Sequence, residues 1–160
     1  MELRKSIGKN VLTAAKERIA YTFDHFDKIM ISFSGGKDSS VMFHLVMEEA
    51  MLRGRKVGVM LIDMEAQYAH TSAHAERMFD AYRDYIDLHW ICLPIKLRNA
   101  VSNYQPTWTC WDGEQQDLWV REMPKHWGVK NIDNHPYDFF VPRLEFEEFI
   151  VMFADWYAAG

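Results

Sequence analysis

Val11, Leu12, Ala15, Ile19 and Phe26 return to one side of a 3.6-residue turn, and Asn10 stands where an N-cap belongs, so the spacing predicts an amphipathic helix over 11–26. The period then changes. Lys28–Ser34 reads Lys-Ile-Met-Ile-Ser-Phe-Ser, a short apolar run of β-formers that stops at Gly35-Gly36, and this predicts a buried strand meeting a tight turn. A second helix is expected to start near Ser39, with Val41, Met42, Leu45, Val46 and Leu52 as its apolar stripe, Glu49 intruding on that stripe and Gly54 ending it. Lys56–Asp63 is a second buried strand, far enough along the chain for a right-handed crossover to a parallel neighbour. Ala75, Met78, Phe79, Tyr82 and Ile86 repeat at helical spacing, and Leu88–Ile95 supplies a third apolar run. The order β-α-β-α-β predicts the α/β class: a parallel sheet with helices on both faces, a three-layer architecture.

Regularity fails after Ile95. Residues 99–143 hold Pro106, Pro124, Pro136 and Pro142 and four of the six tryptophans, with one helix expected near Glu114–Met123. So long a connection reads as an elaborated loop region packed by its own aromatics, followed by a last helix over Glu145–Ala158. The expected organisation is one domain over residues 1–160, with a β-α-β-α-β core in 1–98 and Trp-rich loops and helices in 99–160.

Composition narrows the chemistry. At 160 residues, 49% hydrophobic and 26% charged, the chain has enough apolar material for a packed core and is not disordered. A formal charge of −5 with scattered Lys and Arg argues against direct nucleic-acid binding and favours a small charged ligand or a protein partner. Cys92 and Cys110 are the only cysteines and form no CxxC, so a disulfide framework, a structural zinc site and an iron–sulfur cluster all lack their ligands. Met1–Asn10 runs into a charged helical pattern instead of an apolar leader, and no run approaches membrane-spanning length. A soluble, cytoplasmic chain is expected.

The informative stretch is Ser32-Phe33-Ser34-Gly35-Gly36-Lys37-Asp38-Ser39-Ser40, between a predicted strand and a predicted helix. Glycines let the backbone turn sharply and point successive N–H groups into one small volume, which suits an anion. The helix start near Ser39 adds unpaired N–H groups and its positive dipole end, Ser34, Ser39 and Ser40 add hydroxyls, and Lys37 adds a charge. Phosphate satisfies all of them together. The spacing is neither GxxxxGK[ST] nor GxGxxG. A strand–Gly-Gly–Asp–helix junction can also be a plain turn with Asp38 as cap. Strand ends on the same side of the sheet would also present Asp63 and Lys96. Lys96 and Arg98 are candidates for a substrate sulfate or phosphate, or else solvated loop cations. His70 and His74 have metal-compatible spacing but no third ligand, and the alternative is a solvated helix face.

SGGKDS after a strand resembles the PP-loop of the N-type ATP pyrophosphatases and the phosphoadenosine phosphosulfate (PAPS) reductases. GKDSSVMFHL is also similar to the motif of the small, ATP-pyrophosphatase-like subunit of sulfate adenylyltransferase, and LIDMEAQYAHT resembles the family's second segment. TWTCWDGEQQDLWVREMP is most similar to PAPS-reductase-like proteins grouped with the immunoglobulin-binding regulator type of prophage transcription co-activator. The resemblance implies an adenine nucleotide alpha-hydrolase-like (HUP-type) fold that takes ATP or PAPS with magnesium. It places the phosphate or phosphosulfate on Ser32 and Ser34–Ser40, gives catalytic roles to Lys37 and Asp38, sets Asp38 near the magnesium and puts Asp63 on the nucleoside side. An ATP-cleaving enzyme, a PAPS reductase and a nucleotide-sensing module with a protein partner are the rival readings; a structural domain with an empty turn is the fourth. The reductases' late Glu-Cys-Gly segment is absent, so thiol reduction by this chain alone is not expected. The family's later Arg-containing segment and strands are absent too, so the chain is expected to be an amino-terminal portion. Without those strands the outer edge of Lys28–Ser34 lacks a partner, and either residues 99–158 or a second chain is expected to cover it.

Overall fold

The computed structural model describes residues 8–160. The leader reading of residues 1–7 lies outside the described residues. The first helix, α1 (Val11–His25), starts where Asn10 Oδ1 accepts the Thr13 amide at 2.8 Å. Only Phe23 of α1 is buried; Val11, Leu12 and Phe26, expected on the inner stripe, are exposed. The helix packs against α2 and is tied to it by Arg53–Asp24 (2.6 Å) and Lys16–Glu48 (2.8 Å).

β1 (Met30–Ser32) leads through the Gly35-Gly36 bend into α2 (Lys37–Arg53), which Gly54 ends in the left-handed conformation at φ 62°. The buried face of α2 is Phe43, Val46, Met47 and Ala50, rotated from the expected stripe, which leaves Val41, Met42 and Leu52 exposed. The rotation follows from Phe43, whose ring packs on Phe33, Phe79 and Tyr82. Glu49, the polar intruder, meets Arg53 at 2.6 Å.

β2 (Val57–Ile62), α3 (Ala69–Ala81) and β3 (Ile86–Ile91) complete the core, and a short β6 (Val129–Lys130) joins the sheet later. All four strands are parallel, in the order β1-β2-β3-β6, with Val59 opposite Leu88 and Trp90 opposite Val129. Ile31, Val59, Leu88 and Trp90 face α2 and α3, where Phe79 packs on Trp90 with centroids 5.6 Å apart. On the other face lies α4 (Phe146–Ala159): Tyr157 covers Gly58, and Phe153, Trp156 and Tyr157 surround His89. The α/β class, the parallel sheet and the helices on both faces are as the periodicities require.

Three features were not legible. Residues 96–109 form an antiparallel hairpin of β4 (Lys96–Arg98) and β5 (Thr107–Thr109). The helix expected at 114–123 is a kinked 3-10 segment, Gly113–Leu118, because Trp119 turns back to donate its Nε1–H to the Asp112 carbonyl (2.9 Å) and the next residues are held elsewhere. Residues 99–158 add β6 beside β3, at the opposite side of the sheet, and no described strand pairs with the outer edge of β1. Just ahead of β1, Lys28 Nζ donates to the Ala158 carbonyl at 3.0 Å.

Gly128 sets the closure of β6. A Cβ built on it would lie 2.1 Å from Leu88 Cδ2 and 2.5 Å from Cγ, and Leu88 is itself buried. Gly128→Ala should therefore lower stability by about 1–3 kcal/mol, read as a lower urea midpoint; an unchanged midpoint would mean that β6 docks less tightly than described.

Candidate functional site

The Ser34–Ser40 bend sits at the carboxyl end of β1. Gly35 has φ +75°, and a Cβ there would lie 2.6 Å from Thr71 Cγ2 on α3, so both its backbone conformation and the close approach of α3 require glycine. Gly36 differs: it is the extended N-cap of α2 at φ −79°, and a Cβ would meet Ser34 Oγ at an ordinary 3.5 Å. Among the described residues no side chain caps α2. Among the described residues the N–H groups of Gly35, Lys37, Asp38 and Ser39 make no hydrogen bond to the protein, while that of Gly36 reaches Ser34 Oγ only at 3.4 Å. A run of free amides at a helix start, with its positive dipole end, is an anion receptor.

The hydroxyls are arranged differently from the expectation that all of them face the ligand. Ser39 Oγ and Ser40 Oγ donate back to the Gly36 carbonyl (3.0 and 2.8 Å), and Ser34 Oγ lies 3.0 Å from Ser39 Oγ. Together they brace the turn. Ser40 Oγ is also 2.8 Å from His74 Nε2, so His74, which sequence reading placed on a solvated face, supports the bend from α3. Lys37 and Asp38 are exposed in the first turn of α2 and carry no ion pair among the described residues. Ser32 is exposed at the end of β1. Behind the bend, Ser34, Gly35, Asp63, Gln67 and Trp90 line a cavity of about 10 Å3, beside the buried and unpartnered Ser72 Oγ. That is room for about one water.

Asp63, expected on the nucleoside side, is tied into the protein at the end of β2. It is buried, and its carboxylate accepts hydrogen bonds from Arg121 Nη2 (2.6 Å), Trp90 Nε1 (2.8 Å) and the Glu65 amide (2.9 Å). Its carbonyl accepts Trp111 Nε1 at 2.6 Å. Buried Glu65, at φ +65°, accepts the Trp111 and Val120 amides, both at 2.8 Å, and its carbonyl accepts Arg121 Nε. The Arg121 guanidinium lies 5.1 Å from the Trp111 ring centroid. The Trp-rich segment is thus anchored to the end of β2 by Asp63, Glu65 and Arg121, and this fixes the strand end beside the bend. Sequence reading did not assign Glu65 or Arg121, because nothing in local spacing joins residues more than fifty positions apart.

Lys96 and Arg98 do not line the cavity behind the bend. Lys96 Nζ pairs with Glu145 at 2.7 Å, and Arg98, largely exposed, stands 4.0 Å from Glu147. Among the described residues no group of three or more His, Cys, Asp or Glu is placed to hold a metal ion, so His70 and His74 have no third ligand. Both cysteines are buried: burial pushes the Cys92 thiol far up, aided by the charge of Asp63, and the Cys110 thiol up to about 12. Cys110 Sγ donates to the Leu93 and Ile95 carbonyls (3.4 and 3.5 Å). Neither is a thiolate nucleophile at neutral pH. Native protein at pH 8 should therefore leave both thiols unmodified by a disulfide reagent that labels them after unfolding; fast native labelling would contradict this burial.

The family described as the phosphoadenosine phosphosulfate reductase domain matches residues 28–124, from just ahead of β1 to just beyond Arg121. A curated protein of Escherichia coli (strain K12), the uncharacterized protein YbdN, is 38% identical over 150 residues, which is 93% of this chain and 36% of YbdN. The chain thus spans little more than a third of that relative's length. No solved structure matches it. No described helix is long and apolar enough to cross a membrane.

Proposed function

Because the chain belongs to the phosphoadenosine phosphosulfate reductase family, we propose that the Ser34–Ser40 bend binds the phosphate chain of an adenine nucleotide, ATP or PAPS, as one nucleotide-binding unit in the cytoplasm. The observation that carries this reading is the row of free N–H groups at Gly35, Lys37, Asp38 and Ser39 at the uncapped start of α2. Lys37 adds a mobile positive charge over the same volume, and the amides supply fixed dipoles that need no reorganisation when charge develops on phosphoryl oxygens. Magnesium fits in one way only. With a single exposed carboxylate at the bend, Asp38 would hold it together with the nucleotide's own phosphates, the usual arrangement for this ion. When bound it would neutralise phosphate charge.

Thiol reduction of PAPS would need a cysteine from outside this chain, since Cys92 and Cys110 are buried and protonated. That favours two versions of the reading: cleavage of ATP between its α- and β-phosphates, or a nucleotide sensor that signals to a protein partner. A partner strand, from a second copy or another protein, would cover the outer edge of β1.

Calorimetric titration with ATP, PAPS and adenosine 3′,5′-bisphosphate tests the reading. Affinity for at least one, weakened at least about tenfold by Asp38→Asn if magnesium is shared with that carboxylate, is expected. No affinity for any of the three would remove it. Pyrophosphate release from ATP then separates the enzyme from the sensor, and sulfite release marks a reductase.

A further inference from the structure

α3 runs past the bend and sets a titratable side chain against it. His74, half-buried, places Nε2 2.8 Å from Ser40 Oγ, and its ring lies 6.2 Å from that of Phe33, the residue ahead of the bend. Ser40 Oγ in turn donates to the Gly36 carbonyl at 2.8 Å, the same carbonyl that accepts the Ser40 amide at the start of α2. One hydroxyl therefore separates the imidazole from the residue that caps the helix.

A serine hydroxyl both donates and accepts, so this contact tolerates either charge state of the ring. Imidazolium carries a hydrogen on both nitrogens. Its Nε2–H donates to Ser40 Oγ while Ser40 goes on donating to Gly36. Nδ1 makes no hydrogen bond to a described residue, which leaves it open to carry the other proton. Protonation thus adds a charge beside the bend without breaking the brace.

That charge has no carboxylate partner. His89 stands 3.4 Å from Asp87 and His126 3.2 Å from Asp80, whereas no described carboxylate comes within ion-pair distance of His74. The charged and titratable groups around it are Lys37 and His44, a turn either side of Ser40 on α2, Asp38 in the bend, His70 and Arg77, a turn either side on α3, and Asp63 at the end of β2. His44 is held by the Tyr82 hydroxyl at 3.0 Å, and Asp63 is already paired with Arg121. From the strand side the neighbour is Phe33, which is uncharged. The free amides of Gly35, Lys37, Asp38 and Ser39 attract anions, and an imidazolium one side chain away strengthens the same field.

We propose that His74 is a proton-responsive positioning residue of this site: charging its imidazole tightens the grip of the bend on a nucleotide's phosphates. The proposal rests on the nucleotide reading of the bend. Unperturbed imidazole changes charge between about pH 5 and about pH 8, so affinity rises on acidification through that range. The sign follows from linkage. An anion that favours the charged ring binds more tightly where the ring is charged, and its binding draws a proton onto the ring.

Calorimetric titration with ATP and with PAPS, at about pH 8 and about pH 5.5, compares the wild-type chain with His74→Gln and His70→Gln. Glutamine keeps an N–H for Ser40 and cannot take the charge. The nucleotides' own phosphates titrate in the same range and contribute equally to all three chains. The gain in affinity on acidification should be at least about threefold larger in the wild type and in His70→Gln than in His74→Gln. Proton uptake on binding, read at about pH 6.5 in two buffers of different ionisation enthalpy, should exceed that of His74→Gln as well. His74→Asn should repeat the loss, which covers the case of a His74→Gln chain that fails to fold. Equal gains in the wild type and His74→Gln, or a gain lost in His70→Gln instead, overturn the proposal and leave the nucleotide reading standing. No affinity for either nucleotide at any pH overturns both.

Discussion

Gly35→Ala should abolish nucleotide binding, lowering affinity by at least about a hundredfold while the far-UV circular dichroism stays native. Two costs act at once. At φ +75° a Cβ carries a penalty of about 1–2 kcal/mol, and that Cβ would press on Thr71 Cγ2 at 2.6 Å. The chain can relieve both only by rotating the 34–36 peptides, which swings the free amides of Gly35, Lys37, Asp38 and Ser39 off their common target. Adding Thr71→Ser removes the methyl group and leaves the dihedral penalty, so the double variant should recover part of the affinity and no more. Full affinity in Gly35→Ala would mean that the ligand does not use this turn.

The bend was readable because its logic is local. A β-forming run, two glycines, a lysine and small hydroxyls within nine positions specify a strand, a sharp turn and a helix start, and the structure has β1, the bend and α2 in that order. Residue-level detail was less readable. Gly35 and Gly36 look alike in sequence, yet of the two only Gly35 takes a positive φ, and only there does α3 press on the turn. The stripe of α2 was misplaced for a related reason: helical spacing gives the width of an apolar face, while its rotation is fixed by what lies opposite, here Phe33, Phe79 and Tyr82 around Phe43. The β4–β5 hairpin and β6 are two or three residues long per strand, too short for a period-two pattern to stand out among prolines and tryptophans. Asp63 shows the limit most clearly. Its place at a strand end was legible, but its partners Arg121, Trp90 and Trp111 come from distant segments.

Asp63→Ala should cost about 3–5 kcal/mol of stability, a larger effect than any surface charge change in this chain. The substitution leaves Arg121, four-fifths buried, without its carboxylate, and orphans Trp90 Nε1 and the Glu65 amide in a dry interior. Because the same residue anchors the Trp-rich segment, near-UV circular dichroism should fall with the urea midpoint. Adding Arg121→Met removes the stranded charge and should restore part of the loss, a non-additivity that a merely local packing defect would not give. A drop of less than about 1 kcal/mol in Asp63→Ala would show that the ion pair does not hold the segment.

The central claim is that main-chain amides at one bend grip a nucleotide's phosphates, and backbone-amide NMR during titration with ATP and with PAPS reads those atoms directly. The largest shifts are expected at Gly35, Gly36, Lys37, Asp38 and Ser39, with Thr71 following across the contact to α3. Saturable shifts confined to other parts of the chain, with these amides unmoved, would contradict it.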